Sequence, residues 1–360
     1  MNDPRVNQLA KILVRYCLAA KSKETVGVLG STLATPLVVA VYEELLRVGA
    51  FPAVKMLPDE LEDTLYRLGK PHHFTMLSPY ERAFARSVDS TIGIHAQGNT
   101  RALSGVDPRK QTMRAKTAKS VQAILRKKPW VLTVFPTQAY AQDAEMSLGD
   151  YEDFVYGATF ADEDNPVKAW RSLGRMQDRL IARLKGTDKV RIVGKDTDLT
   201  MSVKGRPFIN SDGRHNMPSG EVFAGPIENS ANGYIKYDFP VCTAGREIEG
   251  VRLVFRDGVV VEATAEKNQK YLATVLDADR GARRIGELGI GTNTKITKFT
   301  RHILFDEKIA GTIHIALGKS ILESGGTNQS AIHWDMIKDL RKGGAIYLDG
   351  KLFQKNGKFV

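Results

Sequence analysis

The sequence predicts an α/β N-terminal domain with a mostly parallel sheet, followed by an α+β C-terminal domain rich in antiparallel strands. Three observations predict it. In the first half, amphipathic stretches alternate with short runs of β-branched residues, the pattern of strand–helix–strand crossovers. From about Val190 the texture changes to short strand-like runs between Gly-, Asp- and Asn-rich turns, two of them Asp-Gly pairs that favour hairpins (257–258 and 349–350). The chain, at 360 residues, is long enough for two hydrophobic cores. The domains are therefore set at residues 1–190 and 191–360.

Taken in order, Val6 to Ala20 carries apolar residues at helical spacing (Leu9, Ile12, Leu13, Tyr16, Cys17) and is followed by the strand-like Thr25 to Leu29. Ala34 to Val48 is a second amphipathic helix, with Pro36 near its start and Gly49 after its end, where each residue belongs. Short strands follow at Ala53 to Met56, Ser90 to His95 and Trp130 to Phe135. Gly27 and Gly30 lie in and just after the first strand, but no third glycine completes a dinucleotide fingerprint. In the second half, strands are expected at 190–193, 199–203, 234–237 and 251–255, and helices at 267–275 and 281–288. Ala345 to Val360 reads as paired strands.

Bulk properties narrow the function classes. Hydrophobic residues make up 42% and charged residues 26%, the range of soluble globular proteins. No apolar run is long enough to span a membrane. The N-terminal Met-Asn-Asp-Pro-Arg-Val-Asn-Gln has no charged segment leading into an apolar one, so the expected compartment is the cytoplasm. Cys17 and Cys242 belong to no CxxC pair and read as thiols in a reducing compartment. The net charge of +11 invites a nucleic-acid reading, and Arg101 to Lys128 supplies much of the local excess. That run carries no interleaved aromatics, zinc finger or helix-turn-helix, and is read as a solvated basic helix with no nucleic-acid partner.

The residues able to do chemistry lie in the second half. In Ser330-Ala331-Ile332-His333-Trp334-Asp335-Met336-Ile337, a strand puts Ile332, Trp334 and Met336 on the buried face and His333 and Asp335 together on the other. Such a pair can be half of a metal site or a hydrogen-bonded acid/base pair, and a structural His–Asp hydrogen bond is the commoner outcome. His314 likewise alternates with Ile313, Ile315 and Leu317. Glu221 opens a strand after a Pro-Ser-Gly turn, and Glu287 is placed at the end of the expected 281–288 helix. Three carboxylates and two imidazoles at one place would need cations to neutralise them, and two divalent ions sharing one carboxylate would do so. Sequence pattern alone leaves open whether the five converge.

Asn-Met-Pro-Ser-Gly-Glu (216–221), Ile-Gly-Glu (285–287), Phe-Asp-Glu-Lys-Ile-Ala-Gly-Thr-Ile-His-Ile-Ala-Leu-Gly (305–318) and Ser-Ala-Ile-His-Trp-Asp-Met-Ile (330–337) resemble the M29 family of metalloaminopeptidases. The intervals of 66, 27 and 19 residues between Glu221, Glu287, His314 and His333 fit as well, and the likeness reaches into Pro136 to Gln142 and Tyr151 to Val155. The resemblance implies that Glu221, Glu287, His314, His333 and Asp335 bind two divalent ions, zinc, cobalt or magnesium. It implies release of N-terminal residues from short peptides with a free amine, and homodimers enclosing a chamber. Glu221 is assigned the proton transfer, and Asp306 and Glu307 the support of His314, because a ligating imidazole needs an orienting acceptor. One position departs from the family. Where it carries a tyrosine that donates to the oxyanion, seven residues after the third ligand, this chain has Ile321. Lys319 and Tyr234 are candidate substitutes. The alternative is a metal-binding protein of the same fold with weak or altered hydrolase activity.

Overall fold

The computed structural model describes residues 3–243 and 246–360. The chain divides into two compact units, one taking everything up to Trp170 together with Gly213–Pro218, the other Arg171–Asp212 and Ser219–Val360. This division lies some twenty residues before the expected boundary at 190, within the helix Pro166–Leu184. The helix serves two cores. Trp170 is fully buried and its indole N–H donates to Thr159 O at 2.9 Å in the first unit, while Leu180 and Leu184 belong to the apolar cluster of the second.

In the first unit β1 (Thr25–Ser31), β2 (Phe51–Leu57), β3 (Ser90–His95), β4 (Trp130–Val134) and the later two-residue β8 (Asn216–Met217) form one sheet in the order β2-β1-β3-β4-β8. Every pairing in it is parallel. Val26, Val28, Ile92, Val131 and Val134 are buried, as the near-continuous apolar runs of a parallel sheet require. The helix Thr35–Arg47 buries Leu37, Val38, Val41 and Leu45 on one stripe. The basic run folds as the helix Pro108–Leu125, which buries none of its residues.

The second unit holds two larger sheets. The first has the order β14-β13-β10-β6-β5-β18-β19-β20. Its strands are β5 (Lys189–Gly194), β6 (Thr197–Ser202), β10 (Asn232–Lys236), β13 (Arg252–Arg256), β14 (Val259–Thr264), β18 (Ala345–Leu348), β19 (Lys351–Lys355) and β20 (Lys358–Phe359). Asp257-Gly258 and Asp349-Gly350 turn its hairpins with positive φ at both positions, as a type I′ turn demands. β11 (Val241–Thr243) and β12 (Arg246–Ile248) pair separately. The other large sheet has the order β17-β16-β15-β9-β7 and consists of β7 (Ile209–Ser211), β9 (Glu221–Ala224), β15 (Ile285–Gly291), β16 (Thr312–Gly318) and β17 (His333–Asp339).

One apolar cluster draws on both sheets: Val190, Ile192, Leu199, Ile235 and Leu253 from the first, and Leu288, Ile290, Ile313, Ile315, Leu317, Trp334 and Met336 from the second. The alternate residues of β15, β16 and β17 must therefore face the other way. Register is held tightly, because a one-residue slip of β16 would turn three buried aliphatic side chains out of the core. At about 1.5–3 kcal/mol each, that costs roughly 5–9 kcal/mol.

The expected helix at 281–288 is absent. Residues 285–291 form β15, paired antiparallel on both sides, with β9 and with β16. Ile285 and Leu288 have helical spacing, but Gly286, Gly289 and Gly291 weaken a helix, and two flanking strands satisfy the backbone instead.

Candidate metal centre

The face of the five-stranded sheet turned away from the shared core carries the candidate ligands. Across β15, β16 and β17 two rows alternate. Glu287 and Asp335 both stand opposite Ala316, whose methyl group leaves space between the two carboxylates. In the next row Gly289 faces His314, and at the far end Gly318 faces His333. On the other side of β15, Gly291 faces Glu221.

The five side chains meet over this bare patch. His314 Nε2 lies 3.1 Å from Glu287 Oε1, 3.5 Å from Glu221 Oε2 and 3.9 Å from Asp335 Oδ1. His333 Nε2 lies 3.6 Å from Asp335 Oδ2 and 3.9 Å from Glu287 Oε2. Among the described residues, three sets offer ligand atoms all within 4.8 Å of one another: Glu221, Glu287 and His314; Glu287, His333 and Asp335; and Glu307, His314 and Asp335. Glu287, His314 and Asp335 each belong to two of these sets.

Gly289 makes this geometry possible. A Cβ there would fall 2.0 Å from His314 Cε1 and 2.2 Å from its Nε2, so the imidazole lies across the place a side chain would fill. Gly291 has a similar part: a Cβ would meet Ile309 O at 2.1 Å, and its lack lets the 307–309 turn cross the strand.

Both imidazoles are oriented from behind. His314 Nδ1 is 3.1 Å from Glu307 O, and His333 Nδ1 is 2.7 Å from Lys319 O. Each carbonyl accepts a hydrogen bond from Nδ1–H and so turns Nε2 toward the cluster. The Glu221 carbonyl accepts at 2.8 Å from Gln177 Nε2, which also donates to Thr292 Oγ1 at 3.1 Å. Asn328 Nδ2 donates to Gly318 O at 2.6 Å and steadies the turn that carries Lys319.

Charge is crowded here. Glu221 Oε2, Glu287 Oε2 and Asp335 Oδ1 are buried without a hydrogen-bond partner. Burial, with Glu307 and Glu287 nearby, pushes the Glu221 carboxyl up to about 7 against the pull of Lys308 and His314. Burial also raises Asp335. His314 moves the other way from what burial dictates: its bond to Glu287 and the charges of Glu221 and Asp335 raise it to about 10. The imidazole thus serves as counter-ion in the metal-free protein. Lys308 is a second counter-ion, its side chain fully buried, 3.6 Å from Glu221 Oε1 and bonded to the Glu307 carboxylate. Orphaned carboxylate oxygens beside two pre-oriented imidazoles fit divalent metal ions, since mixed oxygen and imidazole donors suit several of them.

The structure brings all five expected ligands together. Its assignment of the supporting residues is different in detail. Asp306 is spent on the 300–302 loop, accepting from Thr300 N at 2.7 Å and Thr300 Oγ1 at 2.9 Å. Glu307 orients His314 through its main-chain carbonyl, which leaves its carboxylate to enter the cluster. Ile321 is half-buried just before the short turn Leu322–Ser324. Tyr234 is on β10 of the other sheet beneath the Arg252 guanidinium. Lys319 contributes its carbonyl to His333. His215 stacks on Trp130 in the first unit. Sequence reasoning missed Lys308 and the glycine floor. For the floor a signal existed, because Gly286, Gly289 and Gly291 lie among apolar residues in a short run, and glycine in a strand marks close approach.

A family model described as thermophilic metalloprotease (M29) matches residues 2–359. Aminopeptidase 2 of Geobacillus stearothermophilus is 27% identical, across 93% of this chain and 92% of that protein. Aminopeptidase T of Thermus aquaticus is 31% identical across 58% of this chain and 56% of that protein. A solved structure of wild-type AmpT from Thermus thermophilus superposes with a TM-score of 0.86 at 23% identity, covering 99% of each chain, and shares the fold.

Proposed function

The chain belongs to the M29 family of thermophilic metalloproteases, and from that membership we propose that it is a metal-dependent aminopeptidase with two divalent ions, releasing N-terminal residues from short peptides. The observation that carries this reading is the set of three buried carboxylate oxygens without hydrogen-bond partners, facing two imidazoles already held at Nδ1. Glu221, Glu287 and His314 would hold one ion, and Glu287, His333 and Asp335 the other, with Glu307 close enough to His314 and Asp335 to add a further oxygen. When bound, the ions would polarise the scissile carbonyl and make water acidic enough to attack at neutral pH.

The remaining work falls to the chain's own groups. Glu221 has one oxygen facing Lys308 and the other free of hydrogen bonds, and is assigned the proton transfer from water to the leaving amine. Glu307 O and Lys319 O keep the two imidazoles in the tautomer that offers Nε2. Ile321 has no donor for the developing oxyanion, which would then rely on the ions. The substrate would be a peptide with a free amine, the working form a homodimer and the compartment the cytoplasm. Named aminopeptidases among the relatives support the peptide substrate.

The test combines metal analysis with turnover of aminoacyl nitroanilides and dipeptides. Expected are close to two divalent ions per chain, loss of turnover with chelator and its return with added zinc, cobalt or magnesium. A purified chain that takes up no divalent ion would overturn the reading.

A further inference from the structure

Lys308 is an ammonium with no access to water. Its side chain is 0% exposed, Nζ lies 3.6 Å from Glu221 Oε1, and it is bonded to the Glu307 carboxylate. A buried charge of this kind persists only when paired, and both of its partners belong to the centre. Its backbone is fixed too: the amide donates to Phe305 O at 3.0 Å and the carbonyl accepts from Asn293 N at 3.0 Å. Gly291 allows this turn to press against β15. The ammonium therefore has a set place beside the carboxylates, independent of any ion.

We propose that Lys308 is the permanent cation of the centre, a positioning residue that holds Glu307 and Glu221 in place before divalent ions arrive and limits how tightly they are drawn in. The inference rests on the two-ion reading above. With both imidazoles neutral, as ligation requires, and Glu221, Glu287, Glu307 and Asp335 as anions, the cluster carries −4, and Lys308 brings it to −3. Two divalent ions then give +1, so the loaded centre attracts one anion, as a water losing its proton becomes. Without Lys308 the same ions would leave the centre at zero. Ions would bind more tightly and the pull on the nucleophile would be lost.

The experiment compares wild type with Lys308→Met and with the double variant Glu307→Gln/Lys308→Met. Each is measured as dialysed metal-free protein by thermal melting, and by calorimetric titration with cobalt. Lys308→Met strands a buried carboxylate, so its metal-free form should melt roughly 5 °C or more below wild type. Its cobalt affinity should be at least tenfold tighter, and the double variant, which removes the pair, should regain metal-free melting. An unchanged metal-free melting temperature in Lys308→Met, or cobalt affinity equal to or weaker than wild type, overturns the proposal. If Lys308→Met does not fold, recovery of folding in the double variant supports it and continued failure overturns it. Wild type that binds no cobalt would defeat the two-ion reading, while the metal-free melting comparison would still decide the role of Lys308.

Discussion

Replacing Gly289 by alanine tests the centre with one carbon atom. The added Cβ would lie 2.0 Å from His314 Cε1 and 2.2 Å from Nε2, whereas ordinary contact begins near 3.4 Å. The imidazole must therefore retreat by about 1.4 Å (3.4 − 2.0). Metal–ligand distances tolerate about 0.2 Å, so His314 cannot ligate from its new place, and its 3.1 Å bond to Glu307 O breaks as well. Gly289 is not at positive φ, so alanine meets no backbone penalty; the collision costs about 1–3 kcal/mol, and the broken imidazole bond about 1 kcal/mol more. The variant should fold, hold fewer divalent ions per chain and lose about a hundredfold or more in kcat/KM. Metal content, circular dichroism and nitroanilide turnover measure the three. Gly149→Ala is the control: a Cβ there meets nothing within 4 Å, and metal content and turnover should equal wild type. A Gly289→Ala protein with full metal content and turnover within threefold of wild type would refute the argument that the bare floor seats His314.

Metal-free stability should fall as pH rises. His314 titrates near 10 when folded against 6.5 ordinarily, so its contribution is complete below about pH 6.5 and disappears toward pH 10. Glu221, near 7 against 4.5, also favours the protonated folded state and loses its contribution between those values. Ions require both groups deprotonated, so the gap in melting temperature between loaded and metal-free protein should widen from pH 5.5 to 8.5; a narrowing gap would contradict the assignment. Ile321→Tyr should raise kcat with little change in KM, by up to the roughly hundredfold that one oxyanion donor is worth. Unchanged kcat in single-turnover measurements would mean that the oxyanion is already served. Gln177→Ala removes the donor to the Glu221 carbonyl and to Thr292 Oγ1. It should lower the melting temperature, through about 1–3 kcal/mol for the buried groups left unpaired, and weaken metal uptake; calorimetry and metal titration would show either effect missing.

The parts of the centre legible in the sequence were those governed by local periodicity. His314, His333 and Asp335 sit on strands whose aliphatic and aromatic neighbours alternate with them, and the period of two placed them away from the core. Glu287 was legible as a carboxylate but not as a strand residue, because Ile285 and Leu288 mimic a helical stripe while the partners that make it a strand, β9 and β16, are distant in the chain. Glu307 and Lys308 could not be read as cluster members, since their approach depends on a turn crossing β15 at Gly291. In the first unit the helices Glu60–Leu68 and Pro79–Ser87 went unread although Leu61, Leu65 and Leu68 recur at helical spacing; each is short and buries a single residue, Tyr66 and Ala85. The boundary eluded sequence reasoning because one continuous helix contributes to both cores.

The two large sheets of the second unit share one apolar cluster, and the ligand-bearing strands have their other face in it. The scaffold under the ligands is thus stabilised by contacts that owe nothing to an ion. Capture of the proposed ions should then not wait for chain ordering. Chelation should then be a reversible exchange on a standing framework, and a metal-depleted sample a store of recoverable protein rather than a denatured one.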